Sequence, residues 1–199
     1  MKTNRPLAAL ITGLSIAGTS TAQLLDIPNP GIPNTSFQIT AERDGTDYNA
    51  ATQTLTVDAQ PVGTQFMAGF PRLPFSTSDV SDFNIAIQID NSGNLVGGVA
   101  GPDLVLSGSV SNPFTGDNYS GTLLTGEIIE VGARDTGGST DFMNFRFEAT
   151  GGALSTLLPS GNDIGVVLTL EQSQYTGTWS VSWSGDAKGN VGPISAIPV

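Results

Sequence analysis

Carboxylate, amide and hydroxyl side chains are the groups through which this chain could do chemistry, because its 199 residues include no histidine and no cysteine. A Ser-His-Asp or Cys-His nucleophile is therefore excluded, and so is a zinc site built from thiolate or imidazole. No imidazole is present to act as an acid or base near neutral pH. The composition favours a non-enzymatic protein.

The acidic residues show no local spacing that selects a catalytic pair. Glu127 and Glu130 flank two isoleucines, so on a strand they would face opposite sides of the sheet. Glu148 and Glu171 stand near the ends of predicted strands. A glycosidase needs two carboxyl groups ~5 Å or ~6.5–9.5 Å apart. A carboxylate-dependent glycan hydrolase is the least favoured of three functions, and solvated acids are the default interpretation.

Calcium is the one metal that the oxygen-rich turns could bind. Candidate ligands stand in RDGTD (43–47), in DNSGN (90–94), and at Asp135 and Asp141 on either side of TGGST. Calcium takes 6–8 oxygen ligands, and extracellular sites can be weak. No cluster has the EF-hand spacing, and each is also explained as a turn in which Asp and Asn cap backbone N–H groups. Asp135 and Asp141 are the best candidates for a structural calcium site; no other cofactor is predicted.

Three aromatic residues near the C-terminus could bind a sugar. On a predicted strand Tyr175–Ser184, Trp179 and Trp183 would lie on one face with their rings ~13 Å apart. If exposed, these rings and Tyr175 would form a sugar-stacking platform. If buried, they would anchor the core beside Val181, and their alternation with three serines favours burial.

Short alternating segments must position all of these side chains. Ile85, Ile87 and Ile89 share one face of a predicted strand, and Met143 and Phe145 begin another such series. Period-two alternation indicates one buried and one solvent-facing side. The predicted strands are Ser36–Glu42, Thr52–Ala59, Gln65–Phe70, Asp82–Asp90, Leu95–Val99, Leu104–Val110, Gly121–Val131, Asp141–Thr150, Gly165–Glu171 and Tyr175–Ser184, with one short helix at Gly152–Leu158.

These segments predict an all-β fold, an antiparallel β-sandwich or a flattened barrel of about ten strands with one short helix. The predicted domain spans residues 36–185. A Pro-rich, extended N-terminal arm precedes it at 23–35, and an irregular C-terminal segment follows at 186–199.

Residues 1–22 have the pattern of a secretory signal peptide. Lys2 and Arg5 give a positive start, Leu7–Ala17 is a short apolar stretch, and small residues precede a predicted cleavage after Ala22. Eleven mostly apolar residues fall short of the ~20 that span a bilayer, and no later segment is long enough. Removing the two basic residues would change the net charge from −11 to −13. A chain this acidic is not expected to bind nucleic acid.

Three stretches carry a resemblance to a known group of proteins: YSGTLLTGEIIEVGARDTGGSTDFMNFRFEATGGALS (119–155), IGVVLTLEQSQYTGTWSVSWSG (164–185) and AKGNVGPI (187–194). They resemble a recurring domain of exported Gram-negative bacterial proteins, many of which carry a C-terminal PEP-CTERM sorting tail. Residues 196–199 look like the lead-in to such a tail, and the tail itself is absent from this sequence. The resemblance implies export to the cell surface or matrix, often alongside exopolysaccharide. No catalytic residues and no assigned activity come with it.

The favoured function is a secreted, non-enzymatic surface or extracellular-matrix protein that acts by self-association or adhesion, with extended ends able to add to a neighbour's sheet edge. The alternative is a carbohydrate-binding module for exopolysaccharide that uses Tyr175, Trp179 and Trp183.

Overall fold

The computed structural model describes residues 23–38, 45–76 and 80–195. The predicted signal peptide, most of the predicted strand Ser36–Glu42 and residues 196–199 lie outside the described residues. The strands are β1 (Asn34–Gln38), β2 (Thr46–Asn49), β3 (Thr54–Gln65), β4 (Leu73–Pro74), β5 (Asp82–Ile89), β6 (Leu95–Gly98), β7 (Leu104–Ser111), β8 (Asn118–Arg134), β9 (Thr140–Gly151), β10 (Asn162–Glu171) and β11 (Trp183–Ser195), with a 3-10 helix at Ala153–Leu157.

Eight antiparallel strands close on themselves as a barrel, in the order β3, β2, β11, β10, β9, β8, β7 and β5. The ring closes where β5 pairs with β3, Thr54 opposite Gln88 through Ala59 opposite Phe83. The all-β prediction is confirmed. Of the two architectures, the sandwich is wrong and the barrel is found. Alternation could not separate them, because both bury one face of every strand.

Three further strands extend this ring. The edge strands β4 and β6 pair with β3 and β5. The third extra strand, β1, lies beside β2 in the gap between β3 and β11. Along β3, residues 54–57 pair with β2 and residues 60–65 pair with β1. Strand β1 is thereby part of the barrel wall, and the arm that precedes β1 in the chain lies on the outer surface.

The barrel interior is filled by the inward side of the alternating strands. Ile85, Ile87 and Ile89 are buried, as are Phe145 and Phe147, whose rings stack with centroids 6.1 Å apart. The predicted core faces of these strands are confirmed. Since each strand has one buried face, polar residues between them point outwards.

The C-terminal part of the chain corrects the sequence analysis. No strand covers 175–182; β11 begins at Trp183 and pairs along its length with β10, from Glu171 opposite Asp186 to Asn162 opposite Ser195. The predicted irregular segment is therefore wrong for residues 186–195. β11 has the glycine-rich, polar sequence WSGDAKGNVGPIS, so backbone pairing rather than apolar alternation holds it in the wall.

Two smaller predictions also need correction. The predicted strand Gln65–Phe70 is wrong, because β3 ends at Gln65 and a turn follows in which Phe70 N–H donates to the Met67 carbonyl. The strands β2 and β4 were not predicted. The predicted helix is a 3-10 helix over Ala153–Leu157.

Candidate functional site

The loop 172–182 covers one end of the barrel with aromatic side chains. The Tyr175 ring lies 5.3 Å from that of Trp179 and 5.2 Å from that of Trp183, measured between centroids. Tyr48 from β2 meets Trp179 edge-on at 4.9 Å and stacks with Trp183 at 6.2 Å. All four side chains are buried. This aromatic cluster (Tyr48, Tyr175, Trp179 and Trp183) plugs the barrel end.

The predicted geometry of a sugar-stacking platform is wrong. Trp179 and Trp183 lie 5.7 Å apart rather than ~13 Å, because Trp179 is on a loop that turns back over the core instead of on a straight strand. Their exposed fractions are only 2 % and 4 %. Neither ring offers a face to a sugar, and the alternative interpretation, core anchors, fits both tryptophans. It is wrong for Val181, which is 60 % exposed because no strand covers 175–182.

Neighbouring turns fix the aromatic cluster in place. The Tyr48 hydroxyl donates to the carbonyl of Ile89 at the end of β5, 2.9 Å away. A Cβ atom on Gly93 would lie 2.6 Å from the Trp179 ring, so only glycine allows the β5–β6 turn to approach. The turn also needs the positive φ of 86° at this position. The predicted hairpin turn at 90–94 therefore packs against the loop 172–182.

Several polar atoms of this end are buried without a hydrogen-bond partner. They are the indole N–H groups of Trp179 and Trp183, the Thr46 hydroxyl and Oδ2 of Asp141. Burial raises the pKa of Tyr175 to about 12, and the negative charges of Asp135 and Asp141 add to the effect. The two acids predicted from the sequence thus lie close enough to the aromatic cluster to act on it electrostatically.

Asp135 and Asp141 both cap the β8–β9 hairpin loop. Asp135 Oδ1 accepts the Gly137 N–H at 2.6 Å, and Asp141 Oδ1 accepts the Thr136 N–H at 2.9 Å. The turn-capping role that was weighed against calcium is therefore present. Asp141 is fully buried, however, and Oδ2 takes no part in this capping. Among the described residues, no group of three or more acids is placed to hold a metal ion.

An open, polar pocket of about 350 Å³ lies beside the aromatic cluster. Asp47, Asn49, Gln174, Ser182 and Ser184 line it, over the edges of Tyr48 and Trp183. Part of its polar lining is already used, since Ser182 accepts the Ala50 N–H at 3.0 Å and Ser184 donates to Gln174. The pocket was not predicted, because β2 and the start of β11 come together only when the barrel closes.

An acid pair that the sequence analysis missed lies on the outer wall. Asp103 is buried, and its two carboxylate oxygens accept the N–H groups of Val99 and Ile128, each at 2.9 Å. The Glu127 carboxyl has its pKa raised by desolvation, then by the charge of Asp103 and a hydrogen bond to it, with Glu148 adding to the effect. Because Asp103 is buried and both of its carboxylate oxygens accept backbone N–H groups, it is not placed to act on a substrate. This acid pair gives the hydrolase hypothesis no support.

The predicted N-terminal arm, 23–35, is shorter in the structure, because β1 begins at Asn34. The arm, residues 23–33, lies across the outer wall rather than along a sheet edge. It passes over four adjacent strands at Gly132 of β8, Asn144 of β9, Gly165 of β10 and Gly192 of β11, which together form the arm groove. A Cβ atom would reach Leu25 N at 2.5 Å from position 132, and the Pro33 carbonyl at 2.7 Å from position 192. Gly132 and Gly192 therefore make room for the arm backbone, and Gly165 makes room for the side chains of Ile27 and Ile194.

Specific polar contacts hold the arm in this groove. The Asn144 amide accepts the Leu25 N–H at 3.1 Å and donates to the Leu25 carbonyl at 2.7 Å, as a paired strand would. Farther along, Gly31 N–H donates to the Pro193 carbonyl at 2.6 Å. Between them, Ile27 and the buried Ile194 cover Gly165. The arm is thus held by hydrogen bonds at both ends and an apolar contact in its middle.

No family model matches the chain, and neither curated proteins nor solved structures give a match. Membership of the exported bacterial family therefore stays a prediction. In the described part of the chain, no helix has the length and hydropathy needed to cross a membrane.

Proposed function

We propose that this chain is a secreted, non-enzymatic surface or matrix protein that self-associates by placing its N-terminal arm in the arm groove of a second copy. Such an exchange is heterologous, since the arm of one copy meets the groove of the next. Contacts of this kind build rings or open filaments, whereas reciprocal exchange builds dimers.

The observation that carries the proposal is the position of the arm outside the core. None of its described residues belongs to the hydrophobic cluster inside the barrel, which begins with Tyr48 along the chain. Leaving the groove would expose Ile27 and Ile194 and break the Asn144 and Pro193 hydrogen bonds, but would open no part of the barrel interior. Moving this peripheral segment from one groove to another therefore costs little free energy.

The proposed occupant is a second copy, because it carries the same arm that lies in the groove of this chain. Pro28, Pro30 and Pro33 make the arm stiff and extended, which reduces the conformational entropy lost on docking. The Asn144 amide binds only backbone atoms of the arm and does not select a particular side chain. The register of the arm in the groove is therefore set by Gly165 and Gly192, where the arm comes closest to the wall. An arm from a neighbour would make the same contacts.

The protein concentration decides whether the arm occupies the groove of its own chain or that of a second copy. A tethered arm has an effective concentration of roughly millimolar for its own groove. Exchange is therefore expected at the high local concentration of a surface layer or matrix and not in dilute solution. The composition fits this use, since a chain without cysteine or histidine has no thiol to oxidise and no imidazole to titrate outside the cell.

The experiment measures molar mass by light scattering over a wide concentration range for residues 23–199 and for residues 34–199. We expect the mass of the longer chain to rise with concentration and the shorter chain to stay monomeric. Adding a synthetic peptide of residues 23–33 should dissociate the assemblies by filling the groove.

A matched variant is Asn144→Ala, which removes both hydrogen bonds to Leu25 without touching the barrel core and should weaken assembly. A wild-type chain that stays monomeric at all concentrations would contradict the proposal. So would assembly that persists without the arm, which would point instead to the exposed pair Phe70 and Phe114, whose rings meet edge-on at 4.9 Å.

The alternative function, binding of exopolysaccharide, is favoured by the polar pocket rather than by the buried rings. Carboxylate, amide and hydroxyl groups beside an aromatic edge are typical of sugar sites. Titration of the chain with matrix polysaccharides should then change the fluorescence of Trp183, and Gln174→Ala should abolish that change. A flat signal across the panel would exclude this pocket.

A further inference from the structure

We propose that Asp141 Oδ2 and Asp135, together with the segment 175–177, form a weak calcium site that ties the loop 172–182 to the β8–β9 hairpin. This cation site is separate from the arm groove, and it does not depend on self-association.

The buried oxygen of Asp141 requires a partner. The side chain is fully buried, Oδ1 accepts the Thr136 N–H, and Oδ2 has no hydrogen bond. An unpaired carboxylate oxygen away from water carries an uncompensated desolvation penalty unless a cation or a hydrogen-bond donor pairs with it. This oxygen is the observation that distinguishes the site from an ordinary acidic turn.

Asp135 faces the same segment of the covering loop. Its Oδ1 accepts the Gly137 N–H, which leaves Oδ2 on the side of Gly177, where a Cβ atom would lie 3.2 Å from it. Both acids also act electrostatically on Tyr175. Asp135 Oδ2 therefore lies beside Gly177, and Asp141 caps the adjacent N–H group of the same hairpin loop, that of Thr136.

The donor set points to calcium rather than to a transition metal. All candidate ligands are oxygens, and a hard cation that accepts irregular geometry suits carboxylates supplemented by carbonyls and water. With only two acids the affinity should be low, in the range of roughly 10⁻⁴–10⁻³ M that extracellular sites use. Binding would neutralise Asp141 and hold Tyr175 over the barrel end.

Terbium luminescence offers a direct test, because Tb³⁺ replaces Ca²⁺ and is excited by nearby tryptophan or tyrosine. In the chain 23–199, excitation of the aromatic cluster should produce terbium emission that millimolar Ca²⁺ displaces. Calcium should also raise the melting temperature above that in a sodium salt of equal ionic strength, and EDTA should reverse the shift.

Asp141→Asn should abolish the emission, and Asp135→Asn should weaken it. Asp90→Asn is the matched control, since Asp90 caps an exposed turn through Ser92 and Asn94 and should leave the emission unchanged. Near-ultraviolet circular dichroism checks that each variant is folded. The proposal is overturned if the wild-type chain gives neither displaceable emission nor a calcium-dependent melting temperature, because Asp141 Oδ2 is then satisfied without a cation.

Discussion

At the scale of single residues, the outer wall contains an acid, Glu127, whose ionised form is disfavoured by its surroundings. Glu127 lies against Asp103 and opposite Glu148, and its pKa is raised above the usual range by desolvation and by these charges. A carboxyl whose pKa is higher in the folded than in the unfolded state stabilises the fold below the unfolded pKa. That contribution is lost as the pH rises through the folded pKa.

Glu127→Gln should therefore stabilise the protein at neutral pH. The amide keeps a donor for Asp103 and removes the repulsion, and for so exposed a group the gain should be about half a kcal/mol. Urea denaturation at several pH values measures it. The gain should shrink as the pH falls towards the ordinary glutamate pKa, where the wild-type side chain is protonated in both states.

Glu130→Gln is the matched control on the same strand. Glu130 pairs with Arg146 Nη1 at 3.4 Å, so its replacement should be neutral or slightly destabilising. Equal effects of the two substitutions, or a Glu127→Gln gain that does not depend on pH, would show that the Asp103 contact is not the cause.

At the scale of elements, the loop 172–182 acts as a structural plug. Trp179 contacts Tyr48, Tyr175 and Trp183 and is 2 % exposed. Trp179→Ala should destabilise the fold by about 3–5 kcal/mol, the range for large aromatic side chains removed from a core. Chemical denaturation followed by circular dichroism measures the loss.

Val181 provides the control within the same loop, because its side chain is 60 % exposed. Val181→Ser should change the free energy of unfolding by no more than about 0.5 kcal/mol. A Trp179→Ala variant as stable as the wild type would mean that the aromatic cluster does not anchor the barrel end.

Sequence patterns predicted individual elements well where one face is apolar. The series from Ile85 to Ile89 and from Met143 to Phe147 were placed on strands with the correct face inward. The pattern failed at Trp179 and Trp183, because two bulky residues four apart look the same on a strand and on a loop that folds over a core. It failed again at β11, where a segment containing Gly189 and Gly192 was predicted to be irregular, whereas both glycines pair with β10 and Gly192 also allows close packing of the arm.

The candidate site was predictable only in its residue types. Asp135 and Asp141 were found because a glycine-rich turn lies between them, a local signal. The Asp103–Glu127 contact, the arm groove and the polar pocket combine residues distant in sequence, and their positions follow from strand order and register. Those depend on barrel closure, which no local pattern of apolar residues specifies.

At the scale of the whole molecule, closure depends on the last strand. β11 pairs with β10 on one side and with β1 and β2 on the other, and it also carries Gly192 and Ile194 of the outer surface. Deleting residues 186–195 together with the chain beyond them should therefore abolish cooperative thermal unfolding and the near-ultraviolet signal.

Deleting only residues 196–199 is the corresponding control, because every described pairing of β11 stays in place. This shorter deletion should leave the melting temperature nearly unchanged. A cooperative transition in the longer deletion would show that the barrel does not need its eighth strand.

Occupation of one copy's groove by the arm of another copy can be measured by disulfide cross-linking. The native chain has no cysteine, so only introduced cysteines can react. Ile27 and Ile194 both contact the space above Gly165, so cysteines at these two positions should form a disulfide when the arm is docked. A chain carrying Ile27→Cys is mixed with a chain of different mass carrying Ile194→Cys, at high concentration and under mild oxidation. A double variant that carries both substitutions in one chain verifies that the geometry permits the disulfide bond. The control for random collision is a mixture in which Val181→Cys replaces Ile194→Cys.

We expect a cross-linked heterodimer of the two single variants, at a yield well above that of the Val181→Cys control and suppressed by the peptide of residues 23–33. If the double variant closes within one chain while the mixed single variants form no more cross-link than the control, the arm belongs to its own barrel alone and the proposed mode of association is wrong.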